Sequence, residues 1–260
     1  MEVKKEMKII GIIQIRLGST RLPKKAMLKI LGKPIIWHIH NRLKFCKNLD
    51  QIVIATGNSK NNLEIQDFAK KNNISIFEGD EIDLVSRLYE TGEKFHASAI
   101  VRITGDSPLV DPVIVDQVIS AYKKNIKKID IVSNMRKSSF PYGLEVEIFS
   151  MESLRKMLLE IKKPEMREWF SLFIEKNPNL FNILNISNSK DLSKLRWTLD
   201  YKEDYEFIKK IYEELYIENQ IFLMEDILKL INKNPDMLEI NKKCVGIKNI
   251  GMPKNKNFFK

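Results

Sequence analysis

The stretch KIIGIIQIRLGSTRLPKK, residues 8–25, joins two chemistries. Lys8 to Ile15 is a near-continuous β-branched run of the kind buried on both faces of a parallel sheet. It breaks into a turn that crowds four cations, Arg16, Arg21, Lys24 and Lys25, around Gly18, Ser19 and Thr20. A glycine there permits a backbone conformation or a close ligand approach that a Cβ would deny. Neighbouring amides and hydroxyls could form an anion-binding concavity, with Arg16, Arg21 and Lys25 supplying charge. The turn carries neither the GKS/GKT ending of a P-loop nor a dinucleotide GxGxxG, so a phosphate site of another kind and an ordinary solvated basic turn both stay open.

Outward from this stretch the chain alternates strand and helix patterns. Pro34 suits a first helical position, with Ile35, Ile36, Ile39 and Leu43 on one apolar face. QIVIAT (51–56) and ISIF (74–77) predict strands on either side of a helix over about 61–71, and Leu84, Leu88 and Tyr89 open another helix. SAIVRIT (98–104) predicts a strand that delivers Gly105 and Asp106 at its carboxyl end, followed by a helix from Pro112 to about Tyr122 carrying Val113, Val115, Val118 and Ile119. Asp111 reads as the N-cap of that helix. The βα rhythm predicts a three-layer α/β core with a mostly parallel sheet, whose ligands meet the carboxyl ends of the strands. The basic turn and Asp106 would both lie there. As a strand-end carboxylate, Asp106 could hold a hard divalent cation carried with phosphates, or could cap the next turn.

Beyond residue 130 the rhythm changes. DIVSN (130–134) is a short strand, and LEVEIF (144–149) alternates as an exposed or antiparallel strand with Glu145 and Glu147 on one side. These glutamates could contact an acceptor, support basic groups, or simply be solvated. Helices are expected over about 151–162, 165–176 and 203–217, with shorter helical segments within 222–241. LRWTLD (195–200) predicts a late strand ending in Asp200, a second candidate ligand.

Composition bounds the partners. The chain has 260 residues and a formal charge of +10, spread mainly over scattered lysines, and no clear basic helix or aromatic stacking motif that would point to nucleic acid. The two cysteines, Cys46 and Cys244, form no metal-binding spacing and fit a reducing cytoplasm. His38 and His40 lie two apart on a helix and cannot share a face, and Ser19 has no nearby base. No apolar span near 18 residues suggests a membrane segment. The tail NIGMPKNKNFFK (249–260) is too polar to pack alone and is expected to fray, although Phe258 and Phe259 would be odd surface residues.

A set of motifs then carries a resemblance: RLGSTRLPKK (16–25), LGKP (31–34), VIAT (53–56), VRITGDSPLVDP (101–112), SN (133–134), YGLEVEIF (142–149) and LRWTLDYKED (195–204). In this order they resemble the SpsF-like cytidylyltransferases, named for spore coat polysaccharide biosynthesis, within the sugar nucleotidyltransferases that include CMP-sialate and CMP-Kdo synthetases. The resemblance implies a GT-A-like, Rossmann-like fold with a nucleotidyltransferase domain at 1–217. It also implies an acceptor and dimerisation region at about 134–180 and a C-terminal helical extension at 218–260. Nucleotide contacts would come from Ile15, Arg16, Leu17, Gly18, Ser19, Arg21, Lys25, Thr104 and Asp106, with Arg16, Arg21, Lys25 and Asp106 catalytic. Asp106 and Asp200 would hold Mg²⁺, while Asn134, Tyr142, Gly143, Glu145 and Glu147 would face the acceptor.

The implied reaction is cytoplasmic transfer of a nucleotidyl group, with CTP the favoured donor. The acceptor would be a sugar acid, a sugar phosphate or a polyol phosphate, activated for surface glycan biosynthesis by an enzyme often found as a homodimer. A glycosyltransferase using a nucleotide sugar and a non-catalytic nucleotide-binding assembly protein are the alternatives. The chain departs from the family in having Tyr142 and Glu145 in a motif usually read Arg-Gly-Leu-Asp-Val-Glu. It also departs in reading Arg167-Glu168-Trp169-Phe170-Ser171 where Arg-Glu-His-Val-Thr is usual.

Overall fold

The computed structural model describes residues 7–247, so the N-terminal charges and the 249–260 tail lie outside the described residues. The elements run in the order β1 (Ile9–Gln14), β2 (Lys29–Ile30), β3 (Lys33–Pro34), α1 (Ile35–Leu43), β4 (Gln51–Gly57), α2 (Leu63–Lys71), β5 (Ser75–Gly79), α3 (Leu84–Lys94) and β6 (Ala99–Thr104). Then follow α4 (Pro112–Asn125), β7 (Ile131–Ser133), β8 (Glu147–Ser150), α5 (Met151–Glu160), α6 (Phe170–Lys176), β9 (Ile183–Asn185), α7 (Lys202–Leu215) and α8 (Met224–Lys233).

Seven strands form one sheet in the order β5-β4-β1-β6-β8-β7-β9. β1 pairs in parallel with β4 and β6, whereas β8 runs antiparallel between β6 and β7. The isoleucine run explains the centre. Ile9 and Ile13 enter the core under α1, α4, α7 and α8, while Ile10 and Ile12 enter the opposite core under α3, α5 and α6. Sheet and flanking helices thus form the expected α/β/α layers, with the C-terminal helices packed into the first of these two cores.

β1 is also where the connections reverse direction. The chain leaves β1 outward to β4 and β5, then returns through α3 to β6 on the other side of β1. Such a reversal opens a crevice at the carboxyl ends of the two central strands. The loop after β1 and the Gly105-Asp106 turn after β6 meet in it. Gly105 is required for that meeting, because a Cβ there would come within 2.4 Å of the Ile15 side chain.

Several expectations change. Pro34 pairs in a two-residue strand and serves as the N-cap of α1, one position before the expected start. Val113 is exposed on α4, although Val115, Val118 and Ile119 are buried. The Asp111 cap is present, its carboxylate accepting from Val113 N at 2.8 Å. LEVEIF forms a strand only from Glu147, and that strand lies inside the sheet.

LRWTLD is not a strand. It makes one isolated bridge, Tyr142 to Arg196, and its other amides turn elsewhere, with Leu199 N donating to Asp106 O at 2.8 Å. The alternation of apolar residues is real, but it seats Trp197 and Leu199 in the core without a strand partner. β9, three residues long, gave no signal above its loop.

Candidate active site

The cleft at the carboxyl ends of β1 and β6 has a volume of about 550 Å³. Ile15, Arg16, Gly18, Ser19, Arg21 and Lys25 line one wall, with Thr104 and Asp106 beside them. Tyr142, Glu145 and Glu147 line it farther along the sheet. Leu17, Asn134, Gly143 and Asp200 do not line it, although Asp200 lies directly behind it.

The loop after β1 is held from below. Asn62, fully buried, accepts from Leu17 N at 2.9 Å, and its amide donates to Gly57 O and to Glu81 Oε2. Leu17 is therefore an anchor whose side chain faces the core. Ser19 Oγ accepts from Leu22 N at 3.4 Å within the turn. Gly18 needs no unusual φ, and a Cβ there would meet nothing within 4 Å. The expected conformational reason for glycine is thus absent, leaving open space over the loop that a ligand could enter.

At the far side of the loop the charges converge. Lys25 Nζ donates to Asp106 Oδ2 at 3.0 Å, to Asp200 Oδ1 at 3.0 Å and to Leu199 O at 2.8 Å. Arg21 also donates to Asp200 Oδ1, at 2.9 Å. Burial disfavours the Lys25 ammonium, but Asp106 and Asp200 outweigh it and leave its pKa above the ordinary value. Behind them Arg196 makes two bonds to Asp204, at 2.8 and 2.9 Å, and reaches Asp200 Oδ2 at 3.4 Å. Asp204 also accepts from the Asp200 and Tyr201 amides at 3.0 Å, so the start of α7 fixes where Asp200 stands.

Two carboxylates from sequence positions far apart thus share one cation together with a backbone carbonyl. This set of three oxygens around Lys25 Nζ suits a hard cation, which prefers oxygen donors. Among the described residues no group of three or more His, Cys, Asp and Glu side chains is placed to hold a metal ion. A magnesium ion bound at one or two carboxylates would complete its shell with water and phosphate oxygens, so the residues fit that cation.

The end of the cleft expected to face an acceptor is more heavily paired than its sequence suggests. Asn134 is buried and closes a turn: its amide donates to Leu144 O and accepts from Val146 N, both at 2.8 Å. Gly143, at φ +116°, lies so close to Trp197 and Thr198 that a Cβ would sit 2.5 Å from their backbone. Both are supports of the cleft wall. Glu147 is held between Arg102 at 3.0 Å and Arg136 at 3.4 Å. Glu145 accepts from Gly143 N at 2.7 Å. Burial pushes its carboxyl up to about 7, opposed by that amide and its own backbone N–H and reinforced by Asp106. Burial, with Asp106, Glu145 and Asp200 nearby, also raises the Tyr142 hydroxyl.

Sequence reasoning missed Arg102, Arg87 and Glu168. Arg102 lines the cleft from β6 and donates to Gln14 Oε1 at 2.8 Å. A charged residue in the otherwise apolar run AIVRIT was the available signal. Arg87, also on the cleft, donates to Asp80 O and, at 3.3 Å, to Glu81 O. Glu168 stood in a motif read only for its departures from the family, and nothing local linked it to Arg16, 152 residues away.

A central crevice lined by a cationic glycine-bearing loop and a strand-end carboxylate marks a three-layer α/β protein whose cleft suits anionic, phosphate-bearing ligands. The cytidylyltransferase family profile matches residues 10–243, and the chain belongs to that family. A cytidylyltransferase from Leptospira borgpetersenii superposes with a TM-score of 0.84 at 33% identity, covering 89% of this chain and 96% of that one. The spore coat polysaccharide biosynthesis protein SpsF of Bacillus subtilis is 28% identical over 235 residues, 88% of this chain and 95% of that protein. A CMP-2-keto-3-deoxy-manno-octonic acid synthetase solved with CTP shares the fold, with a TM-score of 0.63 at 17% identity over 80% of this chain and 100% of that one. Family membership sets aside the glycosyltransferase alternative. Among the described residues no helix is long and apolar enough to cross a membrane.

Proposed function

We propose that the protein transfers CMP from CTP to an oxygen of a sugar acid, sugar phosphate or polyol phosphate, releasing pyrophosphate for surface glycan biosynthesis, as SpsF-like relatives would. The observation that carries this reading is the convergence of Lys25, Asp106 and Asp200, with Arg21 attached, beside the open space above Gly18.

In this reading the free protein holds its charges in mutual pairs. An incoming triphosphate competes for Arg16, Arg21 and Lys25, which turn from carboxylates to phosphate oxygens. Ser19 and the loop amides, fixed by Asn62, orient the phosphate chain. Asp106 and Asp200 would hold Mg²⁺, which when bound supplies charge neutralisation at the phosphates. Arg21 and Lys25 stabilise the negative charge that grows on the departing pyrophosphate as the acceptor oxygen attacks the α-phosphorus. Ile15 and Thr104 close the floor, while Tyr142, Glu145 and Glu147 border the acceptor. No covalent intermediate is needed, because alignment and charge stabilisation carry the reaction.

The proposed homodimer would use the region around 134–180, and the proposed site of action is the cytoplasm. The test is a matrix of nucleoside triphosphates against sugar acids and sugar, polyol and amino-sugar phosphates with Mg²⁺, reading pyrophosphate and product mass. CTP-dependent pyrophosphate release with a CMP-linked product is the expected result. CTP binding without product across the matrix would favour the assembly-protein alternative and sink the catalytic reading.

A further inference from the structure

Arg16 is the first cation of the loop, yet it points away from the Lys25 cluster. Its NH1 donates to Glu81 O at 3.0 Å and its NH2 to Glu168 Oε1 at 2.8 Å. Glu168 belongs to a short 3-10 segment, Pro164–Trp169, which is firmly attached to the body. Its neighbour Arg167 donates to Leu158 O, Ile161 O and Asp83 Oδ2, at 2.8, 2.9 and 2.6 Å. Of the two ends of the Arg16–Glu168 pair, Glu168 is therefore the fixed one. Arg16 sits on the loop after β1 and lines the cleft.

The Glu168 carboxylate is only half used. Its Oε2 is buried without a hydrogen-bond partner, while Oε1 depends on Arg16. Burial pushes its carboxyl above the ordinary range, against the pull of Arg16, Arg87 and Arg102. A buried carboxylate oxygen without a donor is costly, so this pair is weaker than one with both oxygens satisfied. A triphosphate in the same cleft offers Arg16 several anionic oxygens in place of the one it takes from Glu168.

We propose that Glu168 is a positioning residue for Arg16: it holds the guanidinium at the cleft wall in the free protein and yields it to the nucleotide triphosphate, so that binding exchanges one anion for another. The inference rests on the reading of Arg16 as a phosphate contact. Its consequence is that Glu168 opposes nucleotide binding. After the exchange the carboxylate faces the cleft with both oxygens unpaired, next to Trp169 and Ser171, which also line it.

The experiment is calorimetric titration of CTP with Mg²⁺ into the full chain, wild type, Glu168→Gln, Arg16→Ala and the double variant, with thermal melting as a folding control. Glu168→Gln should bind CTP roughly three- to tenfold more tightly, the scale of releasing one partly exposed ion pair. In the Arg16→Ala background the same substitution should change affinity by less than about twofold. Glu168→Asp, which withdraws the carboxylate but keeps its charge, should also tighten binding and serves if Glu168→Gln does not fold. Unchanged or weaker binding by a folded Glu168 variant overturns the exchange. So does tightening that persists without Arg16, which would be simple repulsion. Failure of the wild-type protein to bind CTP would instead sink the nucleotide reading beneath it.

Discussion

Replacing Lys25 with methionine keeps the stem and removes the charge that Asp106 and Asp200 share. The ammonium lies 3.0 Å from an oxygen of each. At an effective dielectric near 20, two unit charges about 4 Å apart interact by about 4 kcal/mol. Arg21 and Arg196 remain beside Asp200, and water reaches Asp106, so roughly 1.5 to 3 kcal/mol of that competition should be recovered by an incoming divalent ion. The nucleotide-free variant should therefore bind Mn²⁺ about ten- to a hundredfold more tightly, measured by electron paramagnetic resonance. Turnover should move the other way. Loss of a cation that stabilises the leaving pyrophosphate should lower kcat about 10²- to 10³-fold in a pyrophosphate-release assay with the acceptor found in the matrix. Tighter metal binding with turnover within threefold of wild type would refute the catalytic role of Lys25. Unchanged Mn²⁺ affinity would refute the idea that lysine and metal compete for the same oxygens.

Other substitutions test the neighbouring residues. Asp106→Asn should lower kcat at least about 10²-fold, most severely at limiting Mg²⁺, and normal turnover there would remove Asp106 from the metal site. Asp204→Asn leaves Arg196 buried with a weakened partner; it should cost about 3 to 5 kcal/mol in chemical denaturation, and a loss below 1 kcal/mol would contradict the buried pair. Glu145 titrates at about 7 when folded and near 4.5 when unfolded, so ionisation costs the folded state stability. Both forms are protonated below about pH 4, and the penalty grows to roughly 3 kcal/mol as pH rises through 7 and levels off above about pH 8. Glu145→Gln should therefore match wild type in stability near pH 4 and exceed it at pH 8, and equal stabilities at pH 8 would refute the shift.

The sheet was legible because its central strands are apolar on both faces and their period is short. Runs such as GIIQI and AIVRI admit few other readings, and the reversal at β1 follows from the order in which they occur. What could not be read was whatever depended on pairing at a distance. LRWTLD has a strand's alternation but spends its amides on Asp106 and Tyr142, and no local pattern reveals that. The Gly105-Asp106 turn and the loop after β1 were legible as candidates for one site because both follow strands. Asn134 shows the opposite case: an amide at a strand end can face a ligand or clamp its own turn, and the clamp is visible only once Leu144 and Val146 are brought to it. Glu168 belongs to a motif, yet its partner Arg16 lies in another.

Asp200 owes its station to Arg196 just before it and to residues that come after it. Arg196 and Asp204 fix it, Asn241 donates to Arg196 O at 2.9 Å and to Asp204 Oδ1 at 3.3 Å, and Arg196 in turn reaches Ile247 O at 2.9 Å. A chain stopped at residue 217 would retain every loop residue proposed to touch phosphate while removing the strut that steadies the second acid. Variation far out in the C-terminal segment can thus alter chemistry at the cleft without any residue there meeting a substrate.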